Sequence, residues 1–307
     1  MIEQTNNSIK GLLRGGNAMK LAAQAEFYIE KLGLDKGIEV LKKAGYSKLI
    51  YTLDIGCLNK FSDSDFQAIR NKLEKEGLSI PFTIFSREIY LDHAPGVSEV
   101  RKNLCLKAVR ATALMGCKTI GVQPVCFRQS TPDAYEQTKN LTYKIYSEIK
   151  GEADKADVKL AFINTAKRTC FTSGTYSYGC RAKELLELAD TFDAGIIIDP
   201  VAALQSGERV DELLVGTREK LVGFCMNDIA QREMTKTFPM FGRVDYYELI
   251  RFFQDYDSEA VAVMMNTPII NRYSDFIENE ALVEAITNVY CKMGCLISGC
   301  NEKSERE

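Results

Sequence analysis

The chain contains 307 residues, carries a formal net charge of −3 and is 46% hydrophobic. A chain of this length forms one large domain or two small ones, and this composition is ordinary for a soluble globular protein. Acidic and basic residues are interspersed, so nothing indicates a nucleic-acid partner. No apolar run approaches the ~20 residues that span a bilayer, and the N-terminus lacks the layout of a secretion signal. We therefore expect a cytoplasmic protein that does not bind membranes.

The histidine and cysteine counts restrict the chemistry further. The chain has a single histidine, His93, and ten cysteines. One histidine excludes sites that need two imidazoles in one chain, such as two-histidine zinc motifs. Without a secretion signal, the cysteines are expected to be free thiols. Cys291, Cys295 and Cys300 match no standard metal-binding spacing, and we interpret the first two as sharing the buried face of the last helix.

Short apolar runs rich in Val, Ile and Phe alternate with longer segments of helical periodicity. Runs this short and this rich in β-branched residues predict strands that are buried on both faces. The predicted strands are a weak one at 18–27 and seven clear ones at 48–51, 78–85, 118–125, 158–163, 194–199, 221–226 and 260–265.

The segments between these strands carry the signals of helix ends. Ser64 and Gln67 form a predicted capping box, and Gly77 is the predicted stop of the same helix. Thr131 and Pro132 begin a later helix, because proline suits the first helical position. The strict alternation of strands and helices predicts right-handed βαβ units and a parallel sheet.

Eight such units fit a closed α/β fold, the (β/α)8 TIM barrel, in which helices surround a cylinder of strands. A doubly wound open sheet is the alternative, but it usually carries a glycine-rich phosphate loop after its first strand. The segment 13–16 does not match, because no strong strand precedes it. We predict an N-terminal arm at 1–17, one barrel domain at 18–293 and a polar C-terminal tail at 294–307.

Polar residues follow the predicted strands, at the face where TIM-barrel enzymes place their active sites. Such a ring of amides, carboxylates and cations suits a ligand with many hydroxyl groups. The residues predicted to bind it are Gln123, Asn164, Lys167, Arg168, Tyr176, Asn227 and Arg243. The residues predicted to move protons are Glu88, His93, Asp199 and Asp228.

Several of these residues also have a purely structural interpretation. Asp199 suits the role of a carboxylate that caps the segment after its strand, and Asp228 suits hydrogen bonding to loop backbone. His93 lies in a Pro-Gly loop, where a surface histidine is equally common. Met264 and Met265 are interpreted as residues that fill the barrel.

Five segments of the chain are the basis of a resemblance to a known family. They are GIEVLKKAGYSKLIYTLD, VKLAFIN, AGIIIDPVAALQSGE, VGFCMND and FGRVDYYELIRFFQDYDSEAVAV. They resemble the sugar phosphate isomerase/epimerase family, the xylose isomerase-like barrels, and the similarity extends over roughly residues 18–290. The resemblance implies a xylose isomerase-like TIM barrel with its cleft at the C-terminal ends of the strands. Members of this family often form dimers or tetramers, so it also implies a homodimer or homotetramer.

The resemblance further implies a position for a metal. The family usually binds one divalent cation, often manganese, through two glutamates, an aspartate and a histidine at strand ends. Carried over to this chain, those positions are Ile163, Asp199, Cys225 and the run 263–265, so only the aspartate is retained. Mg²⁺ and Mn²⁺ require hard oxygen ligands, which isoleucine and methionine do not supply. We therefore expect no cofactor, and manganese is disfavoured.

Two functions remain open. The first is an isomerase, epimerase or lyase that acts on a keto sugar, sugar phosphate or cyclic polyol with side-chain acids and bases in place of a metal. The second is a non-catalytic binding protein or pseudoenzyme subunit that keeps the barrel and its cleft. A metal-dependent abasic-site nuclease of the same fold is a distant third, because it needs several histidines and a basic groove, and this chain has one histidine and a charge of −3.

Overall fold

The computed structural model describes residues 19–86, 89, 95–127, 133–166, 177–230, 236–254, 259–265 and 280–298. Within them, eight parallel strands close into a barrel. The strands in chain order are β1 Lys20–Gln24, β2 Lys48–Leu53, β3 Thr83–Phe85, β4 Thr119–Val122, β5 Lys159–Ile163, β6 Gly195–Ile198, β7 Leu221–Met226, β8 Asp228–Ile229, β9 Lys236–Thr237 and β10 Val261–Met264. The short strands β8 and β9 form a separate antiparallel pair. The predicted TIM barrel is confirmed.

Helices form the layer around the barrel and pack against the outer faces of its strands. They are α1 Glu26–Leu32, α2 Leu34–Ala44, α3 Ile55–Lys60, α4 Asp63–Glu76, α5 Pro95–Leu114, α6 Ala134–Lys155, α7 Ala182–Thr191, α8 Pro200–Ser206, α9 Val210–Thr217, α10 Tyr246–Gln254 and α11 Glu280–Ser298. Among these described helices, none is long and apolar enough to cross a bilayer.

The barrel is closed by β1, the strand with the weakest signal in the sequence. β1 pairs in parallel with β10, where Lys20 lies opposite Val261, and with β2, where Ala22 lies opposite Lys48. The strand β3 is shorter than the predicted run 78–85, because it contains only Thr83–Phe85. Pro81 interrupts that run, since proline has no N–H to donate to a strand ladder.

The start of α4 differs from the predicted capping box at Ser64 and Gln67. The N-cap is Ser62, whose side chain accepts from the Asp65 N–H, while the Asp65 carboxylate accepts from the Ser62 N–H. Because this reciprocal pair of hydrogen bonds forms at Ser62, the helix begins before Ser64. The predicted stop is confirmed, because Gly77 caps this helix in the left-handed conformation.

The strands separate two apolar layers. Outward side chains pack under the helices, while inward ones fill the lumen as a second cluster: Ala22, Ile50, Phe82, Ile84, Ala161, Ile163, Ile197, Cys225, Val261, Val263 and Met265. Met265 therefore fills the barrel as predicted. Met264 does not, because the alternation of side chains along β10 places it in the outer layer.

The last helix continues past the predicted boundary at residue 293. α11 ends at Ser298, and Ile297 and Ser298 are fully buried, so this part of the predicted polar tail packs as barrel structure. Cys291 is buried and Cys295 packs against the same core, as their spacing indicated. The cysteines of the described segments are all free thiols.

Candidate functional site

The C-terminal ends of all barrel strands lie at one mouth of the cylinder, because the strands are parallel. Among the residues that the structure describes, polar side chains gather in two groups at this mouth, one at the ends of β6 and β7 and one at the ends of β1 and β2. We call the first group the lysine cluster, formed by Asp199, Asn227 and Lys236. We call the second the glutamate cluster, formed by Gln24, Glu26 and Thr52.

Asp199 follows β6 and has two sets of partners. Its Oδ1 accepts from the backbone N–H of Val201 at 2.9 Å and of Ala202 at 3.4 Å, which caps the N-terminus of α8. Its Oδ2 lies 3.2 Å from the Lys236 ammonium. The side chain is only 16% exposed. The capping interpretation of Asp199 is therefore confirmed, and the ion pair is an addition that the sequence did not reveal.

Asn227 is fully buried after β7 and completes the lysine cluster. With its amide oriented to suit both charged neighbours, Nδ2 donates to Asp199 Oδ1 at 3.2 Å and Oδ1 accepts from Lys236 Nζ at 3.2 Å. The Asn227 carbonyl accepts from the Tyr246 hydroxyl at 2.6 Å, which holds the backbone in place. Each member of the cluster therefore contacts the other two.

Lys236 reaches this cluster through the antiparallel pair β8–β9, in which it lies opposite Ile229. Its side chain is 33% exposed, so solvent or a small ligand can reach it. This residue was not predicted, because a two-residue strand is too short to show periodicity.

The lysine cluster lies against the lumen. Burial raises the pKa of the Cys225 thiol, Asp199 raises it further, and Lys236 acts in the opposite direction. Charges act strongly on a buried group only at short range. Asp199 and Asn227 directly follow β6 and β7, so the cluster lies above the part of the lumen in which Cys225 packs.

Asp228 accepts hydrogen bonds from the backbone of its own loop. Its Oδ1 accepts from the backbone N–H groups of Ile229 at 2.7 Å, Arg243 at 2.8 Å and Val244 at 2.9 Å, and its Oδ2 accepts from Gly242 at 2.9 Å. Burial raises the pKa of this carboxyl, and the backbone N–H groups oppose the rise. These contacts favour the structural interpretation, because both oxygens hold the loop that leads to α10.

Two further predicted ligand residues lie near the strand ends. Asn164 is buried after β5, donates to the Asp199 carbonyl at 3.0 Å and accepts from the Asp199 N–H at 2.7 Å. It therefore fixes the backbone from which the Asp199 carboxylate projects. Gln123 follows β4 and is half-buried, and its carbonyl accepts from the Tyr146 hydroxyl.

Arg243 lies apart from the lysine cluster. It is exposed and lines a cavity of about 390 Å³ bounded by α8, α9 and α10, together with charged residues such as Glu208 and Glu248. A larger cavity of about 910 Å³ lies between α4, α5 and α6, on the outside of the barrel. Neither cavity is lined by a member of the two mouth clusters.

The remaining predicted site residues lie outside the described residues, and their roles stay predictions. They are Glu88, His93, Lys167, Arg168 and Tyr176.

The glutamate cluster was not predicted. Glu26 begins α1 directly after β1, and its carboxylate accepts from the Thr52 N–H at 3.2 Å and from the Gln24 amide. The Gln24 amide also donates to the Thr52 hydroxyl at 2.9 Å. Burial raises the pKa of Glu26 to about 7, although the hydrogen bonds oppose the rise. Near neutral pH this carboxyl therefore exists in both its protonated and its ionised form.

A scan against family models matches residues 37–289 to the family described as xylose isomerase-like TIM barrel. The chain belongs to this family. The match covers most of the barrel, in agreement with its closed parallel sheet. A search of curated protein sequences finds no match to the chain.

Solved structures of this barrel type include enzymes that act on sugars. D-psicose 3-epimerase with D-tagatose, from Clostridium cellulolyticum H10, matches with a TM-score of 0.64 and 12% identity over 92% of this chain and 100% of that one. The E. coli 3-keto-D-glucoside 4-epimerase has a TM-score of 0.63 and 13% identity over 90% of this chain and 99% of that one. The IolI protein with a bound zinc atom has a TM-score of 0.64 and 16% identity over 89% of this chain and 98% of that one. At these identities the similarity shows the fold.

The metal that the family implies does not fit the side chains at its expected position. Ile163, Cys225 and Met265 belong to the apolar filling of the lumen. Both oxygens of Asp199 already have partners, one in the helix cap and one in Lys236. Among the described residues, no group of three histidine, cysteine or acidic side chains is arranged to hold a metal ion. A divalent cation needs several oxygen or imidazole ligands, and these side chains do not supply them.

Proposed function

We propose that this barrel binds a small polyhydroxylated carbonyl compound at its mouth and acts on it as a sugar isomerase or epimerase without a divalent metal. A keto sugar, a keto sugar phosphate and the keto form of a cyclic polyol are all of this class. The observation that carries the proposal is the pair of polar clusters at the strand ends, above a lumen closed by apolar side chains. The epimerases among the solved structures of the same fold support the substrate class.

The two clusters supply the groups that such a reaction needs. Removal of a proton next to a carbonyl places negative charge on the carbonyl oxygen, which a preorganised cation stabilises. Lys236 is such a cation. A general base works best when its pKa lies near the operating pH, and the pKa of Glu26 is about 7. Glu26 therefore replaces Asp228 as the proposed proton carrier, while Glu88 and His93 stay candidates.

A non-catalytic binding protein is the second proposal. It is favoured by the way in which Asp199, Asn164 and Asp228 serve the backbone around them. Such a protein would hold the ligand through the same clusters without moving a proton.

Proton exchange distinguishes the two functions. The purified protein is incubated in D₂O with D-fructose, D-tagatose and D-psicose in turn, and NMR follows both deuterium uptake into carbon positions and ligand binding. An isomerase or epimerase introduces deuterium next to the carbonyl, whereas a binding protein perturbs the ligand signals without exchange. The absence of both effects for all three ketoses would contradict a keto sugar as the ligand. The predicted homodimer or homotetramer is tested separately by analytical ultracentrifugation.

A further inference from the structure

The Lys236 ammonium is held on two sides at the barrel mouth. It lies 3.2 Å from Asp199 Oδ2 and 3.2 Å from the Asn227 amide oxygen. The positions of both partners are fixed by other bonds, since Asp199 caps α8 and Asn227 is anchored through Tyr246. A charge held by rigid partners needs little reorganisation when a ligand arrives. The lysine cluster is therefore a preorganised cationic site rather than a flexible surface ion pair.

The donors at this site fit an ammonium and not a divalent metal. The ammonium bonds to the Asp199 carboxylate and to the Asn227 amide oxygen. A divalent cation requires several hard donors, and the neighbouring lumen positions are occupied by Ile163, Cys225 and Met265, which do not supply them.

We propose that Lys236 takes the electrostatic place of the family's divalent cation and donates a hydrogen bond to the carbonyl oxygen of the ligand. This inference rests on the proposed function, because it needs a carbonyl ligand at the mouth. The ammonium is bonded to the Asp199 carboxylate at 3.2 Å, so the proposed role of Lys236 is electrostatic and not nucleophilic. The 33% exposure of its side chain gives a ligand oxygen access to it.

The test compares ligands with and without a carbonyl group. The dissociation constants of D-fructose, D-tagatose and D-psicose, and of the hexitols obtained by reducing them, are measured by ligand-observed NMR. Removal of the ammonium in Lys236→Gln is expected to weaken ketose binding roughly tenfold or more, as a lost charged hydrogen bond does. Hexitol binding is expected to change by less than about twofold, because a hexitol has no carbonyl oxygen to lose a partner.

A matched control is available at the opposite end of the barrel. Lys220 precedes β7 and pairs with Asp190 at 3.0 Å, with 36% of its side chain exposed. It resembles Lys236 in exposure and in having a carboxylate partner, but it lies at the opposite face of the barrel. Lys220→Gln is therefore expected to leave the binding of ketoses and hexitols unchanged.

The outcomes separate this inference from the proposed function. Ketose binding that is equal in the wild-type protein and in Lys236→Gln would overturn the role of Lys236 and leave the proposed function standing. If the wild-type protein binds no ketose, this inference falls together with the proposal that the ligand is a keto sugar.

A second measurement follows ligand binding to the wild-type protein, in case Lys236→Gln does not fold. Reductive ¹³C-methylation labels the lysines, and Lys236→Arg identifies the Lys236 signal. A bound ketose is expected to move that signal and to leave the Lys220 signal in place. A Lys236 signal that stays fixed while the ketose binds would also overturn the inference.

Discussion

Two side chains at the barrel mouth acquire their chemical character from their neighbours. The Lys236 ammonium is fixed by Asp199 and Asn227 on one side of the mouth. On the β1–β2 side, burial brings the pKa of Glu26 to about 7. Both effects depend on contacts between distant parts of the chain, such as the bond between Glu26 and the Thr52 N–H. Neither is visible at the level of a single residue in the sequence.

The raised pKa of Glu26 predicts a pH-dependent stability. The pKa of the Glu26 carboxyl is 4.5 in the unfolded chain and about 7 in the folded protein. Between these two pH values the folded protein keeps a proton that the unfolded chain has lost. The stabilising contribution is therefore present at low pH and is lost as the pH rises through 7. Between about pH 5 and pH 8 the free energy of unfolding is expected to fall by roughly 1–3 kcal/mol from this group.

Urea unfolding at both pH values measures this effect. Glu26→Gln is expected to lack the decrease, because glutamine does not titrate. Glu30→Gln is the control, since Glu30 is an exposed carboxylate of the same helix α1, and it is expected to behave like the wild-type protein. An identical pH dependence in Glu26→Gln and the wild-type protein would show that Glu26 does not titrate in this range.

The two roles of Asp199 can be separated by substitution. Asparagine caps a helix as well as aspartate does, so Asp199→Asn is expected to keep the cap of α8 while losing the ion pair with Lys236. We expect Asp199→Ala to be less stable than Asp199→Asn by roughly 1 kcal/mol, the usual contribution of an N-cap. Chemical denaturation of the two variants measures the difference, and equal stabilities would mean that the cap contributes nothing.

At the scale of elements, the segment after β7 is organised by a single carboxylate. Asp228 receives backbone N–H groups from its own strand and from the loop that precedes α10. Gly242 is required there, because a Cβ at this position would lie 2.3 Å from the Ile229 carbonyl oxygen. The antiparallel pair β8–β9, and with it Lys236, starts from this same turn. The geometry of the lysine cluster therefore depends on Asp228.

Replacement of Asp228 is expected to be costly. Asp228→Asn replaces an accepting oxygen by an NH₂ group, which meets the backbone donors without bonding them. The loss of one or two hydrogen bonds to a buried charged acceptor lowers the free energy of unfolding by roughly 2–4 kcal/mol. Denaturant titration measures the loss.

Asp245→Asn is the control for this substitution, because Asp245 is exposed and only caps α10, a role that asparagine fills equally. We expect it to change stability by less than about 1 kcal/mol. If both variants lost the same stability, Asp228 would be no more than a second cap.

The fold was predictable from the sequence and the site only partly, for a physical reason. Strands such as Leu221–Met226 are buried on both faces, so their apolar runs show where they lie. Asp199 was found because it ends such a run. Glu26 was missed because the predicted strand 18–27 included it, whereas β1 ends at Gln24. Lys236 was missed because its position depends on tertiary contacts of a two-residue strand.

At the scale of the whole molecule, the lumen is filled so tightly that small residues are needed within it. A Cβ on Gly223 of β7 would lie 2.6 Å from the ring of Phe82, which is fully buried in the lumen. This packing closes the barrel below the mouth and confines a ligand to the strand ends. The proposed site therefore depends on a solid lumen beneath the two clusters.

Enlargement of Gly223 is expected to disturb this packing. Gly223→Ala overpacks the lumen and lowers the free energy of unfolding by roughly 1–3 kcal/mol, as seen for extra methyl groups in filled cores. Gly151→Ala is the control, because Gly151 lies in α6 with open space around it, and we expect it to stabilise by up to about 1 kcal/mol. Thermal unfolding compares the two. An unchanged stability of Gly223→Ala would show that the lumen can accommodate the extra group.

The metal content of the purified protein tests the central claim most directly. The protein is produced with manganese and zinc in the medium, purified without chelators and examined by elemental analysis. A resident Lys236 ammonium in place of the family's cation predicts far less than one equivalent of any divalent metal per chain. A tightly held metal at about one equivalent per chain would contradict the account and would return the metal-assisted reaction of the family to the barrel mouth.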